Sequence, residues 1–298
     1  MINKITFFNH FHNGDLHVSR TFVSEIINKL NISGSYSHNK NEYLLNDLNL
    51  TKDSIINIHE KIGAKNKLDS LFLNTWYGAY DQKYQNAYGI TFDTLYSIFD
   101  FHLSSNFGIK LTDIHLDASK FFPKIDFSKF KIQNIDDYFN KVSFKYKILI
   151  CNGEALSGQA VNFPLAQVIN YLSEKYTDIL FIYTNADKNI VNKSNAVSSS
   201  SIINYSLPTD LNETAYISTK CNIIVGRASG AYTFSMIQDN MFERDCTLIS
   251  FSNLNNNKFW LGNDFTNILN YSAKVKNYNI DNPNEAQRIL EEEIQCLK

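Results

Sequence analysis

Ile5-Thr6-Phe7-Phe8-Asn9-His10-Phe11-His12-Asn13-Gly14-Asp15-Leu16-His17-Val18-Ser19-Arg20 is the stretch from which the fold can be read. Ile5, Phe7, Phe8 and Phe11 predict a buried strand. From Thr21 to Leu30 the apolar residues Phe22, Val23, Ile26, Ile27 and Leu30 return at helical spacing. Between them lies a glycine-containing loop, His12 to His17. A strand, such a loop and a helix open an α/β sheet. Sheets of this kind bind ligands beyond the carboxyl ends of their strands, where this loop is expected. Ser19 is expected to cap the helix start, where free backbone N–H groups favour an anion. An aspartate in this loop, Asp15, is a candidate base in a cleft.

At 298 residues the chain fits two domains of about 150 residues each. Apolar content of 44% and charged content of 19% are those of a soluble globular protein. A formal net charge of -2 supplies no broad basic field for phosphates, which argues against nucleic acid as a primary partner. Met1-Ile2-Asn3-Lys4 leads straight into the first strand, without the basic segment and apolar run of a signal peptide. No stretch approaches the roughly 20 apolar residues of a membrane helix. Cys151, Cys221, Cys246 and Cys296 are scattered, so neither a zinc site nor a disulfide framework is indicated. A reduced, cytoplasmic location is the expectation.

The first half continues with a strand over Ser33 to Ser37, another over Leu68 to Asn74, and an apolar helix over Phe92 to Phe107 with Leu95, Ile98, Phe99, His102 and Leu103 on one stripe. Residues 119 to 134 read as the crossing between domains, and Ile135 to Val142 as a short helix. In the second half Tyr146 to Cys151 is a strand running into Asn152-Gly153-Glu154-Ala155-Leu156-Ser157-Gly158-Gln159. Pro164 suits the first turn of a helix reaching Tyr176. Strands follow at Asp178 to Tyr183, Ser201 to Tyr205, Asn222 to Val225 and Thr247 to Phe251. Helices precede Thr219 and close the chain over Glu285 to Leu297. The repeated strand–loop–helix order predicts an α/β protein with two Rossmann-like domains facing across a cleft. They divide into residues 1–142 and 143–298.

The order of these motifs resembles the glycosyltransferases of GT-B architecture, in particular the ADP-heptose:lipopolysaccharide heptosyltransferase family. Gly14-Asp15-Leu16 before Ser19-Arg20 resembles the family's opening motif. Ile148-Leu149-Ile150-Cys151-Asn152-Gly153 with Pro164 is similar to the start of its second domain. Ile223-Ile224-Val225-Gly226-Arg227-Ala228-Ser229-Gly230 is similar to its later strand and turn. Two departures stand out: Ala228 occupies a position where the family usually has an acidic residue, and Gln159-Ala160-Val161-Asn162-Phe163 replaces a lysine-containing loop.

The resemblance implies a bacterial enzyme of surface-glycan or lipopolysaccharide biosynthesis. It would move a sugar from a nucleotide-diphosphate donor, held by the second domain, to a glycan or lipid-linked acceptor held by the first. Inversion and independence of metal are part of that expectation, with no cofactor and a peripheral contact with the inner membrane. Asp15 matches the family's base, and Ser229-Gly230 its contact to the donor diphosphate. Arg227, at a strand's carboxyl end, has the chemistry to clamp a diphosphate bidentately and steady the leaving group. Gly153 and Ser157 fit a second donor-facing loop, and Glu154 a contact to the donor sugar. His12, Asn13 and Gly14 fall on the acceptor side, with Trp76 and Tyr77 as an aromatic platform. His17 lines the acceptor pocket or supports Asp15. Each has a plainer reading: Asp15 as a helix-start acid favoured by the dipole, Arg227 as half of an ion pair, the aromatics as core. His10, His12 and His17 are close in sequence but do not make a metal set. A nucleotide-sugar epimerase-like enzyme on the same fold and a non-catalytic GT-B-like binding protein are the rival readings.

Overall fold

The computed structural model describes residues 3–51, 62–67, 69–80, 91–115, 122–156, 158–228, 230–252 and 272–298. The chain forms two compact units and passes from the first to the second between Ile125 and Asp126. The crossing precedes the expected division after residue 142. The cause lies in the anchoring of the segment that follows: the Lys131 N–H donates to the buried Glu213 at 3.2 Å, and the Asn134 amide to the Ile203 carbonyl at 3.0 Å. The helix over Gln133–Lys141 therefore belongs to the second unit.

The first unit holds β1 (Lys4–Asn9), α1 (Asn13–Leu30), β2 (Ser33–His38), a 3-10 turn (Glu42–Leu45), β3 (Ala64–Lys67), β4 (Ser70–Asn74) and α2 (Thr91–Phe107). Among the described residues these strands make one sheet in the order β2-β1-β4-β3. β1 runs parallel to both neighbours, with Phe7 opposite Tyr36 on one side and Leu73 on the other. β3 is antiparallel and stands last in that order among the described residues, and its Lys65-Asn66-Lys67 is exposed and polar, as suits the rim of a sheet. Phe7, Phe22 and Phe99, all fully buried, join sheet to helices: Phe99 lies 5.7 Å from Phe7 and 5.2 Å from Phe22 between ring centroids. Burying a side chain of this size stabilises by about 1.5–3 kcal/mol.

α1 begins earlier than the apolar spacing suggests. His12 is its N-cap, so Gly14 and Asp15 lie in the first turn and Ser19 in the buried interior. Ser19 is thus not the cap. Its hydroxyl bonds within the helix and to Tyr36, while the Asp15 carboxylate accepts the His12 N–H at 3.2 Å and closes the helix start.

The second unit opens with α3 (Gln133–Lys141), β5 (Tyr146–Cys151), α4 (Ala166–Lys175), β6 (Ile179–Tyr183), β7 (Ala196–Ser198) and α5 (Ser199–Ile203). It continues with α6 (Leu211–Ser218), β8 (Ile223–Arg227), α7 (Gly230–Phe234), α8 (Gln238–Met241), β9 (Thr247–Phe251), β10 (Lys274–Tyr278) and α9 (Pro283–Leu297). The sheet is parallel throughout, in the order β10-β9-β8-β5-β6-β7. Its apolar centre includes Ile148, Ile150, Phe181, Ile223 and Val225, covered on one face by Val168, Ile169 and Leu172 of α4 and by Ile289 and Leu290 of α9. The strand expected at Ser201 to Tyr205 is instead helix α5, because Ser198 Oγ accepts the Ser201 N–H at 3.2 Å and caps it. Pro164 stands just outside α4, whose N-cap is Leu165. Gly226 has no room for a side chain, since a Cβ there would lie 2.5 Å from that of Cys151 on β5. No helix among the described residues is long and apolar enough to cross a membrane.

Candidate functional site

In each unit the chain leaves a central strand in opposite directions along the sheet. The reversal falls between β1 and β4 in the first unit and between β5 and β8 in the second. The carboxyl ends of such strand pairs are where open α/β sheets hold ligands. Gly14, Asp15 and Trp76 follow β1 and β4 at the first of these edges, and Gly153, Glu154, Arg227 and Gly230 end or follow β5 and β8 at the second.

At the first edge, Asp15 is half-buried in the first turn of α1. Burial pushes its carboxyl above the usual 3.8, against the opposing pull of the His12 N–H bond and the charges of His12 and Lys40. A carboxylate made more basic by partial desolvation suits proton abstraction. Asn13 and Gly14 share its turn, and His12 is exposed beside it. Trp76 is half-buried and stacked on Phe11, the ring centroids 3.6 Å apart and the planes 19° from parallel. Phe11 thus occupies one face of the indole. Tyr77 opens the short 3-10 turn that follows Trp76.

His17 does not line this edge. Its side chain is wholly buried, with Nδ1 accepting from Arg20 Nη1 at 3.4 Å. Arg20 is buried too and pairs with Asp47 at 2.9 Å while donating to the Leu44 carbonyl. His17 is therefore a neutral core residue rather than a lining of the site. Burial, then the Arg20 charge, holds its pKa well below 6.5. The unfolded chain takes up a proton below that value and the folded chain does not, so this share of stability is present at higher pH and is lost as pH falls. The expected slope is up to about 1.4 kcal/mol per pH unit below pH 6.5. Denaturant unfolding between about pH 5 and pH 7.5 should show it in the wild type and not in His17→Gln; parallel curves would refute it.

At the second edge, the structure gives Arg227 a different role from the expected diphosphate clamp. The side chain is only 2% exposed, and its N–H groups go to backbone carbonyls: Nε to Val161 at 3.2 Å, Nη1 to Asn152 at 3.3 Å and Gly153 at 2.9 Å, and Nη2 to Phe163. The guanidinium also lies over the Phe163 ring, 4.9 Å from its centroid. Arg227 thus ties together both ends of the loop between β5 and α4. Asn162 closes the middle of that loop through both polar atoms of its side chain to Ala155. Gln159 donates to the Ala228 carbonyl at 2.8 Å. The two departures from the family pattern are therefore bonded to one another.

Gly153 and Glu154 line an open groove of about 610 Å³ at the ends of β5 and β6, together with Asn152, Leu156, Asn185 and Asp187. The sequence reading missed Asn152, whose side chain accepts the Asn185 N–H at 2.7 Å and donates to the Asn185 carbonyl at 2.8 Å, joining two segments that line the groove. Gly230 starts α7 with φ +48°, a left-handed conformation that favours glycine. Ser157 and Ser229 lie outside the described residues. Among the described residues no three His, Cys, Asp or Glu side chains come together as a metal site.

Two Rossmann-like α/β units in tandem, each with a loop cluster at its reversal point, define the class of fold. No protein-family model and no curated protein matches the sequence. Similar solved structures include a glycosyl transferase of family 9 from Veillonella parvula, at 12% identity and a TM-score of 0.48, over 97% of this chain and 91% of that one. The E. coli ADP-heptose LPS heptosyltransferase II is similar at 13% identity and a TM-score of 0.47, over 97% of both chains. S. aureus MnaA, solved with UDP, is similar at 10% identity and a TM-score of 0.48, over 98% of this chain and 88% of that one.

Proposed function

We propose that this chain is a bacterial glycosyltransferase of GT-B type, moving a sugar from a nucleotide-diphosphate donor to a cell-surface glycan or lipid-linked acceptor. The observation that carries the proposal is Asp15: a half-buried carboxylate of raised pKa, beyond the carboxyl end of β1 with its two parallel neighbours, beside the exposed His12. In the reaction Asp15 takes the proton of an acceptor hydroxyl as that oxygen attacks the anomeric carbon. The bond from sugar to phosphate breaks, its electron pair leaves with the nucleoside diphosphate, and the configuration inverts. His12, Asn13, Gly14, Trp76 and Tyr77 hold the acceptor.

The donor lies in the groove of the second unit. Glu154 and Asp187 on its wall accept bonds from sugar hydroxyls, with Gly153 allowing close approach. Ser157, Ser229 and Gly230 contact the diphosphate. Arg227 attracts that anion through its buried charge while its N–H groups hold the loop. No metal enters the step. The enzyme works in the cytoplasm at the inner face of the membrane.

A thermal-shift screen against nucleoside diphosphates and their sugars tests the donor. A ligand at 100 times its dissociation constant stabilises by about 2.7 kcal/mol. One selective response names base and sugar, and silence from every nucleotide sinks the proposal. A sugar altered while still joined to its nucleotide, with no acceptor added, would make the chain an epimerase instead.

A further inference from the structure

We propose that Tyr36 is a positioning residue for Asp15: its hydroxyl is the centre of a buried hydrogen-bond chain that locks the first turn of α1 to the reversal point of the sheet. The proposal rests on the reading of Asp15 as the base. Tyr36 lies on β2, and its hydroxyl is 2.6 Å from Ser19 Oγ on α1 and 2.6 Å from Thr75 Oγ1 just past β4. Thr75 Oγ1 accepts from Asn9 Nδ2 at the end of β1, at 2.9 Å, and Ser19 Oγ donates to the Leu16 carbonyl at 3.1 Å. All four side chains are buried.

The two ends set the direction of the chain. Asn9 Nδ2 only donates and the Leu16 carbonyl only accepts. Thr75 must therefore donate to Tyr36, Tyr36 to Ser19, and Ser19 to Leu16. Every hydroxyl gives one bond and receives one, so none is left unsatisfied. The Tyr36 ring is held in turn by Phe7 and His38, at 6.4 Å and 6.0 Å between centroids.

The chain ends on the carbonyl of Leu16, the residue after Asp15. An ionised carboxylate kept partly from water gains free energy by moving outward, and a helix's first turn is where such movement is easiest. The bond from His12 opposes that movement from within the helix. The Tyr36 chain opposes it from the sheet, tying α1 to β1, β2 and β4 together. Rigid support of this kind keeps a catalytic group within reach of its substrate.

The test is a carboxyl-carbon NMR titration of Asp15 in the wild type, Tyr36→Phe and Tyr80→Phe. Tyr80 also spends its hydroxyl in the first unit, on the Asn74 carbonyl at 2.7 Å, but stands outside the chain. Asp15 should titrate above 3.8 in the wild type and in Tyr80→Phe, and fall back by at least about half a unit in Tyr36→Phe as the turn loosens into water. Thr75→Val, which cuts the same chain at the next link, should behave like Tyr36→Phe and serves if that variant does not fold. Once a donor is known, Tyr36→Phe should lower kcat and shift the acidic limb of the pH–rate profile by the same amount, leaving the donor KM unchanged. A lower melting temperature with an unmoved Asp15 titration would overturn the proposal and leave Tyr36 merely structural. If the titration moves but the wild type transfers no sugar, the positioning stands and the transferase reading falls.

Discussion

Asp15→Asn should bind donor as tightly as the wild type and turn it over on the order of 10²–10⁴-fold more slowly, the range for removal of a general base. The substitution keeps the size of the side chain and an oxygen for the His12 N–H, so the helix start survives. What it removes is the capacity to take a proton. Stability should hold or rise at neutral pH. The folded pKa is raised above 3.8, so the stability linked to this proton is fully present below 3.8 and is lost as pH rises through the folded value. Above that value the wild type carries a costly charge that asparagine does not. In the wild type, activity should climb with pH through the same raised pKa, since only the carboxylate is a base. Release of nucleoside diphosphate from the donor, measured beside the melting temperature, checks both halves. Turnover retained in Asp15→Asn would remove Asp15 from the chemistry.

Arg227→Ala should abolish the nucleotide response and destabilise the second unit at once. Four backbone carbonyls, at Asn152, Gly153, Val161 and Phe163, lose their donor. A buried acceptor left unsatisfied costs about 1–3 kcal/mol, and without the guanidinium the two ends of the loop lose the donor that ties them together. Asn152 and Gly153 also line the groove, so the loop's movement disturbs the place proposed for the donor. Arg227→Lys separates this role from a direct phosphate clamp. An ammonium lacks the planar fork that reaches both ends of the loop. Lysine should therefore lose both melting temperature and nucleotide affinity, whereas a simple phosphate contact would keep the melting temperature and part of the affinity. Chemical unfolding and nucleotide titration of the two variants decide between them.

The order of strands and helices is legible in this sequence because periodicity is local. Phe7 and Phe22 announce their elements without reference to anything distant. β10 was not legible, because Lys274-Val275-Lys276-Asn277 carries too little apolar character to stand out from a loop. The site was less legible, because strand-end position says where a side chain starts and not where it points. Arg227 has the same sequence context whether its guanidinium faces an anion or turns inward to carbonyls. Ser19 stands before an apolar run as a cap would, yet the true cap is seven residues earlier, at His12. One signal was available. Leu16, Arg20, Val23 and Ile27 follow a single helical stripe, and an arginine in an apolar stripe marks a buried charge that needs a partner, here Asp47. The Asn9–Thr75–Tyr36–Ser19 chain had no such signal, since its members come from β1, the residue after β4, β2 and α1 and meet only in the folded unit.

The close approach of Gly226 to Cys151 has a practical consequence. With bare backbone pressed against it, the Cys151 thiol is sealed from solvent, and burial drives its pKa above that of an ordinary cysteine. Cys221 and Cys246 are buried as well, their thiols pushed up to about 12 and about 11, while Cys296 near the end of α9 is exposed. Thiolates react and buried thiols do not. The native chain therefore carries one addressable attachment point for a fluorophore or spin label, on the helix that covers the six-stranded sheet of the second unit, without any engineered change to its sequence.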